Sequence, residues 1–305
     1  MNKVKVSAPG KLLLLGDHAV VYGYPCLVTA VDKRLYVEAR VIEADKDDIV
    51  TPQVKESRFV LESLAHFKKK YNIVSSIRIR TKGDFSHRVG LGSSSAVTVA
   101  TFKALSVLFK IDLTKKELFD MAYQVTLLIQ GVGSGFDIAA ATYGETLYYI
   151  RGGKTIETLP MKTLPLVVGY SGIKADTPFY IRQVAEAFRL KKDEMKRIFT
   201  SMQNIVEEAR GAVLRGDMKN FGTCLTANHM LLQQLGVSTK KLDLMVEASL
   251  KSGAWGAKLS GAGGGDCMIA LVDDTLRGSV EDAIRSVGGK IIEVQVNTNG
   301  VTIET

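Results

Sequence analysis

Apolar and polar residues alternate strictly over 35–41. Leu35, Val37, Ala39 and Val41 point one way and Tyr36, Glu38 and Arg40 the other, which predicts a half-buried strand. Shorter alternation predicts strands over 3–6 and 76–81, and the four leucines at 12–15 form a core strand. The Tyr-Gly-Tyr-Pro stretch at 22–25 reads as a turn. The period changes over 57–71, where Phe59, Leu61, Leu64, Ala65 and Phe67 recur at helical spacing. A Gly/Ser run at 90–95 opens a helix reaching about 109. Thr114 and Glu117 form a capping box for a helix over 115–129. A short helix over 137–142 and strands near 146–150 and 164–169 follow. The second half predicts helices over 177–189, 193–214, 217–233 and 239–251, then a segment at 256–260 and a glycine loop at 261–265. It closes with a buried strand over 267–272, a helix near 277–287, and strands over 290–296 and 300–304.

Helices mixed with mainly antiparallel strands indicate an α+β chain without internal repeats. Its 305 residues exceed one average domain, so two lobes are expected, 1–160 and 161–305, with the boundary between the strands near 146–150 and 164–169. An apolar fraction of 46% with 24% charge excludes wholesale disorder. No apolar stretch approaches the ~20 residues of a membrane span, and the N-terminus lacks the continuous apolar segment of a signal peptide. Cys26, Cys224 and Cys267 lie too far apart for a disulfide framework, which favours a reducing cytoplasm. His18, His66, His87 and His229 show no zinc-ligand spacing. The net charge of +8 is spread in short groups, which suits anionic small molecules. With no basic arm and no RNP-like pattern, neither a nucleic-acid nor a membrane partner is expected, and a homodimer stays open.

Four segments carry candidate chemistry. The first is Ala8-Pro9-Gly10-Lys11, the leucine run, and Gly16-Asp17-His18-Ala19-Val20-Val21-Tyr22-Gly23. Lys11 stands beside apolar residues, so it either snorkels to solvent or meets an anion. The second, Gly90-Leu91-Gly92-Ser93-Ser94-Ser95-Ala96, sits between a strand and a helix N-terminus. Small residues there let backbone N–H groups approach phosphate, and serine hydroxyls can ligate Mg²⁺. Asp112, twenty residues after Gly92, stands at the distance of a ribose-binding acid. Ser95 occupies the third glycine position, however, so Asp112 reads as a loop residue. The third, Gly131–Gly135 with Phe136-Asp137, puts a carboxylate at a helix start, as a cap or as a catalytic group. The fourth, Lys258-Leu259-Ser260-Gly261-Ala262-Gly263-Gly264-Gly265-Asp266-Cys267, holds four glycines in five positions, which suggests close approach of backbone to a ligand.

In this order and over nearly the whole chain, the motifs at 9–23, 90–96 and 258–265 resemble the GHMP family of small-molecule kinases. The resemblance implies an N-terminal lobe like ribosomal protein S5, a ferredoxin-like C-terminal lobe, and ATP-dependent phosphorylation of an alcohol with Mg²⁺. It implies that Asp137 orients or deprotonates the acceptor hydroxyl and that Lys11 holds both that carboxylate and the γ-phosphate. Residues Gly90, Leu91, Gly92, Ser93, Ser94, Ser95 and Ala96 would bind ATP, with Ser94 on the metal. Asp17, His18, Thr177, Gly261 and Ala262 would line the acceptor site.

Within the family, Gly16–Gly23 and the stretch Asn228 to Val237 are similar to mevalonate kinases, which implies mevalonate as acceptor. Gly133 to Gly144 and Ser260 to Cys267 are instead similar to phosphomevalonate kinases, which act on mevalonate 5-phosphate. The Mg²⁺-binding Glu usual in mevalonate kinases falls on Thr126, and no carboxylate stands between Met121 and Phe136.

Overall fold

The computed structural model describes residues 3–54, 57–86, 89–161 and 164–304. His87 lies outside them. The two strands expected at 3–6 and 12–15 are one, β1 (Val4–Leu15). Pro9 and Gly10 do not break it, because the register against β2 (Pro25–Ile42) shifts between them as a bulge. The leucine run is continuous because β1 is covered on both faces. Leu13 packs into the core of the N-terminal lobe, while Leu12 and Leu14 pack into a second core with Leu166, Val168 and Phe221 of the C-terminal lobe. The alternation seen at 35–41 is the outer half of β2, an eighteen-residue strand.

The N-terminal sheet also holds β3 (Asp48–Val50), β4 (Ser76–Gly83), β5 (Thr146–Ile150) and β6 (Thr155–Thr158). Its pairings are antiparallel except β3 with β4. Two helices pack against it, α2 (Ser93–Leu108) and α4 (Phe136–Tyr143), and α1 (Arg58–Tyr71) and α3 (Lys115–Gln130) pack in turn on α2. The Thr114/Glu117 capping box forms in full, and Asp112 lies in the loop between α2 and α3.

The C-terminal lobe is built on an antiparallel sheet of order β10-β7-β9-β8: β7 (Leu166–Tyr170), β8 (Gly256–Ser260), β9 (Cys267–Leu271) and β10 (Lys290–Ile291). Around it lie α5 (Thr177–Ala187), α6 (Lys192–Arg215), α7 (Met218–Gln234), α8 (Lys240–Lys251) and α9 (Arg277–Ser286).

The strand expected over 290–296 stops at Ile291, because the chain then leaves this sheet and crosses back. Asp32 bonds Gln295 in both directions, Val296 bridges Val31, and β11 (Thr302–Glu304) pairs with β1. Arg34 of β2 locks the returning segment by donating to the carbonyls of Asn299 (3.0 Å) and Gly300 (2.6 Å) and to Thr302 Oγ1 (3.0 Å). Residues 302–304 therefore complete the N-terminal sheet, although a division at 160 counts them with the C-terminal lobe.

Candidate active site

The two lobes meet at β1 and enclose a cavity of about 810 Å³. Lys11, Asp137, His18, Thr177 and Ala262, all singled out in the sequence, line it together. No group of three or more His, Cys, Asp or Glu among the described residues is placed to hold a metal.

The Gly/Ser run wraps the N-terminus of α2. Gly90 and Gly92 both take positive φ, near 77°, and a Cβ on Gly90 would stand 2.7 Å from the Asp266 side chain. Gly90, Gly92, Ser93 and Ser94 face the cavity. The first-turn N–H groups of α2 have no partner within the helix, so this end suits phosphate. Leu91, Ser95 and Ala96 of the same run are buried behind it. The Leu91 carbonyl accepts the Lys11 amide (2.9 Å).

Ser95 turns the other way. Its hydroxyl donates to Asp137 Oδ2 at 2.6 Å, which fixes the carboxylate in the first turn of α4. The loop before Asp137 is braced from below. Tyr149 donates to the Ser134 carbonyl (2.6 Å) and Tyr123 to the Gly133 carbonyl (3.0 Å).

Lys11 does not snorkel to solvent. It is 8% exposed, passes under Gly92 and the Phe136 ring, and donates to the Gly90 carbonyl at 3.0 Å. It forms no ion pair with Asp137, contrary to expectation, because the loop carbonyl takes its ammonium and Ser95 takes the carboxylate. Lys11 is thus tied to the glycine–serine loop at the start of α2. Lys11→Met should weaken ATP binding and slow turnover together, by roughly 10–100-fold in kcat/KM for ATP, the scale of one or two charge-assisted hydrogen bonds. Nucleotide titration alongside steady-state rates checks this; no change in either would remove the residue from the site.

Asp17 does not line the cavity. It is fully buried, with Oδ2 2.7 Å from the Lys258 ammonium, itself fully buried, and with Oδ1 accepting the Gly261 N–H at 2.8 Å. Asn228 joins this cluster, donating to Asp17 Oδ2 (3.4 Å) and accepting the Gly16 N–H (3.2 Å). Lys258 also donates to its neighbour's carbonyl, that of Leu259. Desolvation lowers the Lys258 pKa, and Asp17 opposes that shift. Ser260 adds a second tie, exchanging bonds with the Leu13 N–H (3.1 Å) and carbonyl (3.0 Å). Asp17 is thus a positioning group for the loop at 261–265. The sequence did not single out Lys258. Its signal was a lysine at the middle of the short strand segment 256–260, beside Ala257 and Leu259.

His18 does reach the cavity. It sits at φ 61°, ψ −51°, and the Ala19 N–H bonds the Asp17 carbonyl across it at 2.7 Å, a positive-φ γ-turn that few non-glycine residues adopt. Burial lowers its pKa, so the ring is neutral at pH 7 and its Nε2–H donates to the Ala262 carbonyl (2.9 Å). Gly261 and Ala262 line the same wall.

The rest of the glycine run serves the protein, not a ligand. A Cβ on Gly264 would meet the Tyr180 ring at 1.9 Å, and one on Gly263 or Gly265 would stand 2.1 Å from the Val237 carbonyl oxygen or 2.5 Å from that of Ile173. Thr177 opens α5 on the same side of the cavity, behind the Asp176 cap. Sequence reasoning also passed over Lys174. It lines the cavity with its ammonium on both Asp266 oxygens, at 3.2 and 3.3 Å.

This combination, a helix end suited to phosphate and a fixed carboxylate lining one cavity, agrees with the comparisons. The family model for the GHMP kinases N-terminal domain matches residues 58–145, and that for the GHMP kinases C-terminal domain matches 209–290. The mevalonate kinase of Thermococcus sibiricus is 37% identical, covering 99% of this chain and 98% of its own. The mevalonate kinase of Pyrococcus furiosus is 34% identical over the same shares. The crystal structure of L. major mevalonate kinase with R-mevalonate superposes with a TM-score of 0.85 at 25% identity, over 98% of each chain. The chain belongs to the GHMP kinase family.

Proposed function

We propose that the protein transfers the γ-phosphoryl group of ATP to the primary hydroxyl of mevalonate. The observation that carries this reading is Asp137, held by the Ser95 hydroxyl at 2.6 Å and facing the cavity into which the phosphate-binding end of α2 opens. The mevalonate kinases to which the chain is similar, at 34–37% identity over nearly its full length, supply the acceptor. Of the segments read in the sequence as similar to the same enzymes, His18 lines the cavity, while Asp17 and Asn228 are buried and bonded to each other.

In the reaction the C5 hydroxyl oxygen attacks the γ-phosphorus as the bond to the β-phosphate oxygen breaks and ADP leaves. The hydroxyl proton passes to the Asp137 carboxylate. The transition state of such a transfer is loose, so positioning and charge neutralisation supply most of the rate. The α2 end and Lys11 hold the phosphates, Asp137 aligns the hydroxyl, and burial between the lobes excludes water.

The site fits Mg²⁺. Thr126 Oγ1 is buried in the cavity wall without a hydrogen-bond partner, and the Ser94 hydroxyl lines the same cavity. Two hydroxyls with phosphate and water oxygens match the oxygen preference of that ion. Ser94 and Thr126 are the residues that would hold it, and its chemistry is to neutralise phosphate charge.

Cys26, Cys224 and Cys267 are free and buried, as suits work in a reducing cytoplasm. Among the described residues no helix is long and apolar enough to cross a membrane. A coupled ADP-release assay with Mg·ATP, offering mevalonate and mevalonate 5-phosphate in parallel, tests the reading. Turnover with mevalonate is expected; turnover with the phosphorylated acceptor alone would transfer the assignment to that substrate.

A further inference from the structure

Mevalonate carries a carboxylate at the end opposite its reacting hydroxyl, and a buried carboxylate needs a cation. Among the described residues, the cations lining the cavity are Lys11, Arg58 and Lys174, with His18 neutral. Lys11 is tied to the Gly90 carbonyl in the phosphate loop. Arg58 opens α1 on the N-terminal lobe, with its side chain 64% exposed and Glu62 3.9 Å away. Lys174 stands on the C-terminal lobe, three residues before Thr177, on the wall that also carries Ala262.

What holds Lys174 is specific. Asp266 is only 7% exposed and takes φ 54°, a backbone conformation that few non-glycine residues adopt. Its N–H bonds the Ile173 carbonyl (2.7 Å) and its carbonyl accepts from the Ser171 N–H (2.9 Å). Its carboxylate accepts the Ala175 N–H (3.1 Å) and the Lys174 ammonium, while its side chain packs against Gly90. A flexible lysine is thereby held in place with its side chain 45% exposed, and its two bonds to Asp266 leave one of the three ammonium N–H groups for a further acceptor. Fixing the side chain in advance removes much of the entropy cost that a free lysine meets on binding.

We propose that Lys174, aimed by Asp266, binds the carboxylate of the acceptor and makes the site selective for an alcohol with an anionic far end. This rests on the reading of the acceptor as mevalonate. Lys174 is then a substrate-binding residue, and Asp266 a positioning residue acting through it.

A rival role exists. Asp266 lies beside the phosphate loop, and Lys174 could serve only to neutralise it against ATP. Steady-state kinetics on four forms separate the two. Lys174→Met should raise the KM for mevalonate about 10–100-fold, with kcat and the KM for ATP within about threefold of wild type. Lys174→Arg should recover part of the loss. The double variant Lys174→Met with Asp266→Asn should keep the raised mevalonate KM. If Lys174 only neutralises Asp266, that double variant returns to wild-type constants and the proposal falls. A triol acceptor with a hydroxymethyl group in place of the carboxylate should be phosphorylated poorly by wild type and no worse by Lys174→Met. An unchanged mevalonate KM in Lys174→Met overturns the proposal alone. Absence of wild-type turnover with mevalonate overturns the functional reading, and the proposal with it.

Discussion

Asp137→Asn should stay folded, bind ATP with near wild-type affinity and turn over about 10³-fold more slowly, within the range spanned by removal of a positioned acid or base. The substitution keeps shape and size. The Asn side-chain oxygen can still accept the Ser95 hydroxyl, now 2.6 Å from the carboxylate, so α2 and α4 remain joined. What is lost is the negative charge that aligns the attacking hydroxyl and takes its proton. The elements proposed to bind ATP, Gly90 to Ser94 and Lys11, do not depend on that charge, since Lys11 is bound to a backbone carbonyl and not to Asp137. Nucleotide titration beside single-turnover measurement of ADP formation gives both quantities. A folded variant with ordinary turnover would refute the role assigned to Asp137.

Lys258→Met should cost about 3–5 kcal/mol of folding stability, because it strands the fully buried Asp17 carboxylate without its cation. In a chain of this length that lowers Tm by roughly 5–8 °C. Asp17→Asn should be milder, since the orphaned lysine can give up its proton. Desolvation already lowers the Lys258 pKa, and Asp17 is the main group opposing that shift. In this variant the folded state holds fewer protons than the unfolded chain, from the depressed folded pKa up to the ordinary lysine value. Its stability therefore rises with pH across that window, and the penalty is constant below it. Thermal melts of the three proteins from neutral pH to about 9 check both statements. Equal loss in the two variants with no pH trend would mean that the pair does not carry the charge balance described here.

The contrast between these two carboxylates shows what could be read from the chain. Asp137 was legible because its signal is local: a glycine loop, an acid and an apolar helix start within seven residues. The Thr114 capping box was legible for the same reason. Asp17 was misplaced because its partner lies 241 residues away in sequence numbering, at 258, and the partner's side-chain direction follows from the register of β8 on β9. Ser95 was counted with the phosphate loop because it directly follows Ser94, yet about 100° of helical rotation per residue turns it from the cavity towards Asp137. The glycines at 263–265 were attributed to a ligand, yet they answer to Tyr180, Val237 and Ile173, three neighbours from separate elements. Local composition marks where backbone must come close to something; only tertiary packing says to what.

The strand β11 has a consequence for synthesis. It completes the edge of the first sheet at β1 and is locked there by Arg34. A ribosome adding roughly 5–20 residues per second leaves β1 exposed along that edge for tens of seconds after it emerges. The N-terminal lobe thus reaches its finished form only once translation has passed residue 302, after the core of the other lobe has been made. An unpaired strand edge in that interval is a template for pairing with other chains, so the nascent protein is most exposed to aggregation while it already holds most of its final structure.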